Sequence, residues 1–329
     1  MATAELGDDV YGEDPTVNRL QELAAEMLGK EAALLVTSGI QGNQVSVLTH
    51  CSPGSEVIIE AEAHIFYYEV GASAALAGVQ FMPLQGERGA LDPADVAAAI
   101  REDFSNFPPT SLICLENTHN RAGGAVLPLE KMRSVYQLAQ DRGIPVHLDG
   151  ARIFNAAVAA GVEAKEFAAS CDSIQFCLSK GLAAPVGSII AGPREWIERA
   201  KRWRKMLGGS MRQAGIIAAP GIVALETMVE RLAEDHENAR FLAGELAAMP
   251  GIELNPDHVE TNIIVAVLTT MEAVHFSELL RERAILASPF GGKKIRFTTH
   301  KDISRTDLER ALPEINAILK EAATGRAKS

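Results

Sequence analysis

Long apolar runs are missing from this sequence. The uncharged stretch from Val70 to Gly86 is interrupted by Ser73, Gln80, Pro83 and Gln85, and it falls short of the roughly 20 apolar residues a membrane helix needs. No membrane role is expected. The residues from Met1 to Asp9 carry neither a basic region nor an apolar segment, so no secretory or transit signal is legible and the cytoplasm is the expected location. Positive charge is in deficit, with 31 Lys and Arg against 43 Asp and Glu. That balance argues against nucleic acid and anionic surfaces as partners and leaves room only for a local basic site. Cysteine is scarce: Cys51, Cys114, Cys171 and Cys177 lie in apolar surroundings without metal-ligand spacing, as expected of buried thiols in a reducing compartment, and no metal site is predicted. The chain also lacks G-x-G-x-x-G, G-x-x-x-x-G-K-[ST], H-E-x-x-H and G-x-S-x-G, which weakens dinucleotide, P-loop, zincin and serine hydrolase readings.

What is present describes a folded α/β protein. The 329 residues, 47% hydrophobic and 22% charged, suffice for about two domains. Asp14-Pro15 caps a helix carrying Val17, Leu20, Ala24 and Met27 at helical spacing, and Gly29 ends it. Strand-length apolar runs follow at Ala33–Val36, Val57–Ile59, Val79–Leu84, Ser111–Leu115, Pro145–Leu148, Ser173–Leu178 and Gly187–Ala191. Helical stretches separate most of them, among them Val96–Phe104 after Asp92-Pro93 and a helix from Pro128 to Gly143. Such alternation predicts a mainly parallel sheet covered on both faces. From Pro193 to Met249 the pattern is helical, with breaks expected at Gly208-Gly209 and Pro220-Gly221. Strands at Ile263–Leu268 and Lys294–Thr299 and helices at Met271–Ala284 and Ser304–Ala323 then predict a smaller α+β unit. The expected division is an N-terminal arm over residues 1–13, a large domain over 14–225 and a small C-terminal domain over 226–329.

In open α/β sheets ligands bind beyond the carboxyl ends of the strands, and several of those positions are chemically loaded. Thr37-Ser38-Gly39 leads into a helix, a place where a hydroxyl and backbone N–H groups suit a phosphate. Taken alone, an ordinary strand-to-helix turn explains it better. Asp149 ends one strand and needs a partner, for which Arg152 is a purely structural candidate. Lys180 follows the strand Ser173–Leu178; at such a position an amine can act as a nucleophile toward an aldehyde, forming a Schiff base, or simply turn into solvent. His64 follows the strand Val57–Ile59 and is either structural or able to stack on a flat group and move protons near neutral pH. A phosphate turn, a carboxylate, a lysine and a histidine at the ends of one sheet meet the requirements of pyridoxal phosphate.

Longer motifs sharpen this. Gly7-Asp-Asp-Val-Tyr-Gly-Glu-Asp-Pro15, Leu115-Glu-Asn-Thr-His-Asn120, His147-Leu-Asp-Gly-Ala-Arg-Ile-Phe-Asn155, Cys177-Leu-Ser-Lys-Gly181 with Ala184-Pro-Val-Gly-Ser188, and Lys205-Met-Leu-Gly-Gly-Ser-Met-Arg-Gln-Ala-Gly215 resemble the low-specificity L-threonine aldolases over nearly the whole chain. The resemblance implies the fold-type I pyridoxal phosphate architecture. It also implies a homo-oligomer, usually a tetramer, with active sites at a dimer interface. The implied reaction is retro-aldol cleavage of L-threonine, L-allo-threonine and related β-hydroxy-α-amino acids to glycine and an aldehyde. By matching motif, Lys180 bonds the cofactor, Asp149 holds the pyridine nitrogen protonated, and His64 stacks on the ring and removes the hydroxyl proton. Ser38 and Gly39 bind phosphate, aided by Lys205 and Arg212 of a neighbouring subunit. Arg152 and Arg296 hold the substrate carboxylate, with Tyr11, Glu69 and His119 as weaker substrate-binding candidates.

Two departures from the family pattern stand out. Ile40 occupies a position where relatives usually have Thr, and the N-terminal segment with an Arg-Ser-Asp-Thr run is shortened. Both are expected to weaken cofactor or substrate binding. A β-eliminating or phenylserine-cleaving lyase on the same fold, or a pyridoxal phosphate binder with impaired catalysis, are the alternatives.

Overall fold

A computed structural model describes residues 1–101 and 106–323. Its α-helices are α1 Pro15–Leu28, α2 Gly39–His50, α3 His64–Tyr67, α4 Pro93–Ala99, α5 Leu129–Asp141, α6 Ile153–Ala160, α7 Ala164–Ala168, α8 Arg194–Met206, α9 Gly215–Thr227, α10 Leu232–Ala247, α11 Ala273–Glu282 and α12 Arg305–Ala323. The strands are β1 Ala32–Val36, β2 Glu56–Glu60, β3 Gln80–Leu84, β4 Thr110–Glu116, β5 Val146–Asp149, β6 Ser173–Cys177, β7 Ser188–Gly192, β8 Ile252–Glu253, β9 Ile263–Leu268, β10 Ser288–Pro289 and β11 Lys294–Thr298. Of the helix read from Val96 to Phe104, α4 covers the beginning, and Phe104 lies outside the described residues.

The first strands form a seven-stranded sheet in the order β1-β7-β6-β5-β4-β2-β3. β7 runs antiparallel to both β1 and β6, while β6, β5, β4, β2 and β3 pair in parallel. The mainly parallel sheet read from the sequence is therefore present. β2, β5, β6 and β7 are buried along their full lengths, as strands covered on both faces must be. Local chemistry sets the helix ends: Asp14 Oδ1 accepts from Thr16 N and Val17 N ahead of Pro15, and Gly29 closes α1 in the left-handed conformation at φ 60°.

One expected break does not occur. Pro220 and Gly221 lie inside α9, which continues to Thr227. Proline removes one backbone hydrogen bond there, but α9 buries Ala218, Gly221, Ala224 and Leu225, and a Cβ at Gly221 would stand only 3.0 Å from side-chain atoms of Leu20 and Leu178. Tertiary packing on α1 thus overrides the local signal. The break at Gly208-Gly209 is real, since α8 ends at Met206.

The chain divides into two compact units. One comprises Met1–Arg121 and Val126–Glu230, and the other Ala122–Ala125 and Arg231–Ser329. The second has a four-stranded antiparallel sheet, β10-β11-β9-β8, whose short strands β8 and β10 are not legible as sequence patterns. Its core gathers Leu242, Leu246, Ile264, Leu268, Phe276 and Ile315. Among the described residues no helix is long and apolar enough to cross a membrane. Cys114, Cys171 and Cys177 are buried free thiols, and Cys51, half-buried, is pushed up to about 12 by desolvation.

Candidate active site

Three neighbouring parallel strands each end in a carboxylate: β2 in Glu60, β4 in Glu116 and β5 in Asp149. All three are buried, so each needs donors. Glu60 Oε2 meets His119 Nε2 at 2.9 Å and also accepts from Glu62 N. Glu116 accepts from the backbone of His64 at 2.6 Å and of Asn120 at 2.8 Å. Asp149 Oδ1 accepts from Ala151 N, and Oδ2 from Asn43 Nδ2 at 2.9 Å. The acidic strand ends are thus matched one by one with N–H groups.

A fourth carboxylate, Glu69, completes the layer. Its Oε1 accepts from the same Asn43 Nδ2 at 2.7 Å and lies 2.9 Å from His64 Nδ1, while Oε2 accepts from Gln44 Nε2. His64 keeps about a quarter of its side chain exposed. Burial opposes its charge, but the Glu69 hydrogen bond and the negative charges of Asp149, Glu69 and Glu116 outweigh burial and raise its pKa above the ordinary imidazole value. His119 follows the same pattern through Glu60 and Glu116, and burial pushes Glu116 up. His64, Glu69 and Asp149 each bring one ligand-capable atom within 4.8 Å of the others; Asn43 Nδ2 donates to both carboxylates.

The turn that leads into α2 lies alongside. Ser38 caps α2, its Oγ accepting from Gln41 N and its carbonyl from Gly42 N. The amides of Gly39 and Ile40, in the first turn, have no intrahelical acceptor. A Cβ on Gly39 would come within 2.9 Å of Cys177 Sγ and one on Gly42 within 2.6 Å of Gln175 Cγ, so only glycine lets this helix start press so closely on the end of β6. Asp149, followed by Gly150, is at the end of the adjacent β5. Lys180 lies three residues past the end of β6, half-buried, in a turn closed by Ala183 N donating to the Lys180 carbonyl at 2.8 Å. Arg152 is the half-buried residue that opens α6.

The remaining predicted residues lie elsewhere. Tyr11, 70% exposed, is under the Arg212 guanidinium at 5.9 Å, and Arg212 donates to Asp8 at 2.7 Å. Lys205 is exposed at the end of α8 and, with Tyr11 and the buried Asp9–Arg204 pair, lines a cavity of about 340 Å³. Arg296 is on β11 of the other unit, stacked over Phe290 at 4.9 Å; a role toward a substrate carboxylate rests on the resemblance alone. Sequence reasoning passed over Asn43, Gln44, Glu60 and Glu116.

The donor set fits the cofactor implied by the sequence. Free N–H groups at a helix start suit a phosphate, a buried carboxylate braced by two N–H groups suits a pyridinium nitrogen, and Lys180 supplies an amine.

Comparison with known proteins agrees. The profile of the beta-eliminating lyase family matches residues 1–269. The chain is 44% identical to the low-specificity L-threonine aldolase of Escherichia coli K12, across 97% of this chain and 94% of that protein. It is 43% identical to low-specificity L-threonine aldolase 1 of Arabidopsis thaliana, across 95% and 89%. In fold it is similar to a threonine aldolase of Leishmania major, with TM-score 0.81 at 19% identity over 96% of this chain and 92% of the other. A serine palmitoyltransferase of Sphingomonas wittichii also matches, with TM-score 0.78 at 17% identity over 98% and 80%. Fold, strand-end chemistry and near full-length similarity converge, and the chain belongs to the beta-eliminating lyase family, in the group that holds the low-specificity L-threonine aldolases.

Proposed function

We propose that this protein is a pyridoxal phosphate-dependent aldehyde-lyase that cleaves L-threonine, L-allo-threonine and related β-hydroxy-α-amino acids to glycine and an aldehyde. The observation that carries this reading is the near full-length likeness to L-threonine aldolases of bacterial and plant origin. The large unit is proposed as the cofactor-binding domain. Bound there, pyridoxal phosphate supplies an aldehyde carbon for a lysine amine and a protonated ring that accepts the electron pair released when the Cα–Cβ bond breaks.

Lys180 presents the amine. Asp149, which accepts from Asn43 Nδ2 and Ala151 N, would hold the ring nitrogen and stabilise its positive charge. Ser38 and the amides of Gly39 and Ile40 take the phosphate, and Arg152 binds the substrate carboxylate by its two-pronged guanidinium. His64 has Nδ1 committed to Glu69, which orients the ring and leaves Nε2 to remove the β-hydroxyl proton. Because a base must be neutral, turnover falls as pH drops through the raised His64 pKa. Lys205 and Arg212, together with exposed Ile216, Val223 and Val70, are proposed to serve a homo-oligomer with active sites at a dimer interface. Cytoplasmic location is proposed from the four free thiols.

The test is product analysis with L-threonine. Glycine and acetaldehyde are expected, and the visible absorbance gained on adding pyridoxal phosphate should vanish in Lys180→Ala. Pyruvate and ammonia instead would move the protein to β-elimination. His64→Ala should lower kcat far more than it raises the Kd for the cofactor; unchanged turnover would reject the proton-transfer role.

A further inference from the structure

Beneath the carboxylate layer, polar side chains that meet no substrate form a continuous run. His50 Nε2 lies 2.7 Å from Ser173 Oγ, which lies 2.9 Å from His147 Nδ1; His147 Nε2 lies 3.2 Å from Asn43 Oδ1. The Asn43 amide then reaches Asp149 and Glu69 with one nitrogen. The fold brings these groups together by simple periodicities. Asn43 and His50 are seven residues, about two turns, apart on one face of α2, His147 and Asp149 share one face of β5 at the strand period of two, and Ser173 is the register partner of His147. His147 and Ser173 are fully buried, Asn43 nearly so, and His50 stacks on Trp196 at 5.1 Å.

The direction of every proton in this run follows by elimination. Carboxylates accept, so both hydrogens of the Asn43 amide are spent on Asp149 and Glu69, and its oxygen must itself accept. His147 Nε2 therefore carries a hydrogen. Burial drives His147 and His50 down to about 3, aided at His50 by the charge of Arg199 and at His147 by His50, so at neutral pH each ring is neutral and holds one proton. His147 Nδ1 is then bare and accepts from the Ser173 hydroxyl. That hydroxyl has only one hydrogen, so His50 Nε2 donates to it.

We infer that His147, Ser173 and His50 are positioning residues for the reaction: their one-way run of donors locks the Asn43 amide in the single orientation that offers N–H to Asp149 and Glu69 together. The reverse orientation would turn the amide oxygen onto two carboxylates. The run thereby sets both the carboxylate assigned to the ring nitrogen and the one that orients His64, and it rests on the roles proposed above for those two residues.

Two measurements on the full-length holoenzyme test this. Neutron diffraction should show deuterium on Nε2 of both His147 and His50 and none on either Nδ1; deuterium on His147 Nδ1 overturns the inference. His147→Gln keeps an amide N–H for Asn43, whereas His147→Phe fills the space without a donor. The Phe variant should bind pyridoxal phosphate about tenfold more weakly. It should also shift to higher pH the change in the bound cofactor's visible absorption, and lower kcat with KM for threonine unchanged. The Gln variant should recover most of each effect. Equal behaviour of the two variants, or a parental spectrum in the Phe variant, overturns the inference, and where that variant fails to fold the neutron map decides. Correct deuterons in a protein that cleaves no β-hydroxy-α-amino acid would remove the proposed function and leave the locking of Asn43 standing; cleavage with misplaced deuterons would do the reverse.

Discussion

Two groups of charged side chains are treated in opposite ways by the fold. Glu60, Glu69, Glu116 and Asp149 are all buried, and each accepts from a placed N–H or imidazole. Asp8 and Arg212 pair at 2.7 Å with the arginine side chain 60% exposed. In water such a pair is screened and worth little. Away from water an unmatched carboxylate is very costly, so the buried layer is held to one arrangement. The difference teaches that the strand-end carboxylates are held to one structure by burial, whereas the exposed arm contacts carry little of the fold's stability.

The sharpest way to break this contrast is Asn43→Asp, which replaces the bridging amide by a carboxylate facing two others. A loss on the order of 3 kcal/mol in unfolding free energy is expected, visible as a lowered urea midpoint; a parental midpoint would mean that the layer is open to water. Next comes pH. His147 is buried neutral with its pKa near 3, against 6.5 in the unfolded chain. Below pH 6.5 the unfolded state binds the proton that the native state refuses, so stability falls as pH falls through that window. At pH 5 this amounts to about 2 kcal/mol from His147, and urea titrations at pH 7 and 5 read it directly. His119 works with the opposite sign, because its raised pKa gives stability that is complete below the unfolded value and lost as pH rises through the folded one. His147→Gln should flatten the acid loss.

Smaller effects follow. Glu69→Gln removes the anion hydrogen-bonded to His64, so the acid limb of kcat/KM against pH should move to lower pH; an unmoved limb would detach that limb from His64. Ile40→Thr, in the first turn of α2 at an exposed position, should tighten pyridoxal phosphate binding severalfold by restoring a hydroxyl donor, read by fluorescence titration. Least affected should be Asp8→Asn, with a melting temperature unchanged within about 1 °C.

The alternating strands and helices, and Lys180, Asp149 and His64 at strand ends, were legible because local signals agreed with the tertiary arrangement: apolar runs of strand length, Asp-Pro caps and glycine stops. Pro220 was misread because the cost of one missing backbone hydrogen bond is local, while the packing of α9 on α1 that offsets it is not. Asn43, Gln44, Glu60 and Glu116 went unread because each has an ordinary surface reading in sequence, and only sheet order reveals that they converge.

By itself the sequence determined the fold class, the family, and the placing of a lysine and an acidic residue at strand ends, since these depend on residue type, spacing and motif. Only the tertiary structure decided which polar groups face one another. It set Asn43 between two carboxylates, gave each of them its donors, and moved Tyr11 and Arg212 out to the solvent. The physical reason is that the cost of a polar group depends on its burial and its partners, and both are properties of strand order and helix packing rather than of any local stretch of chain.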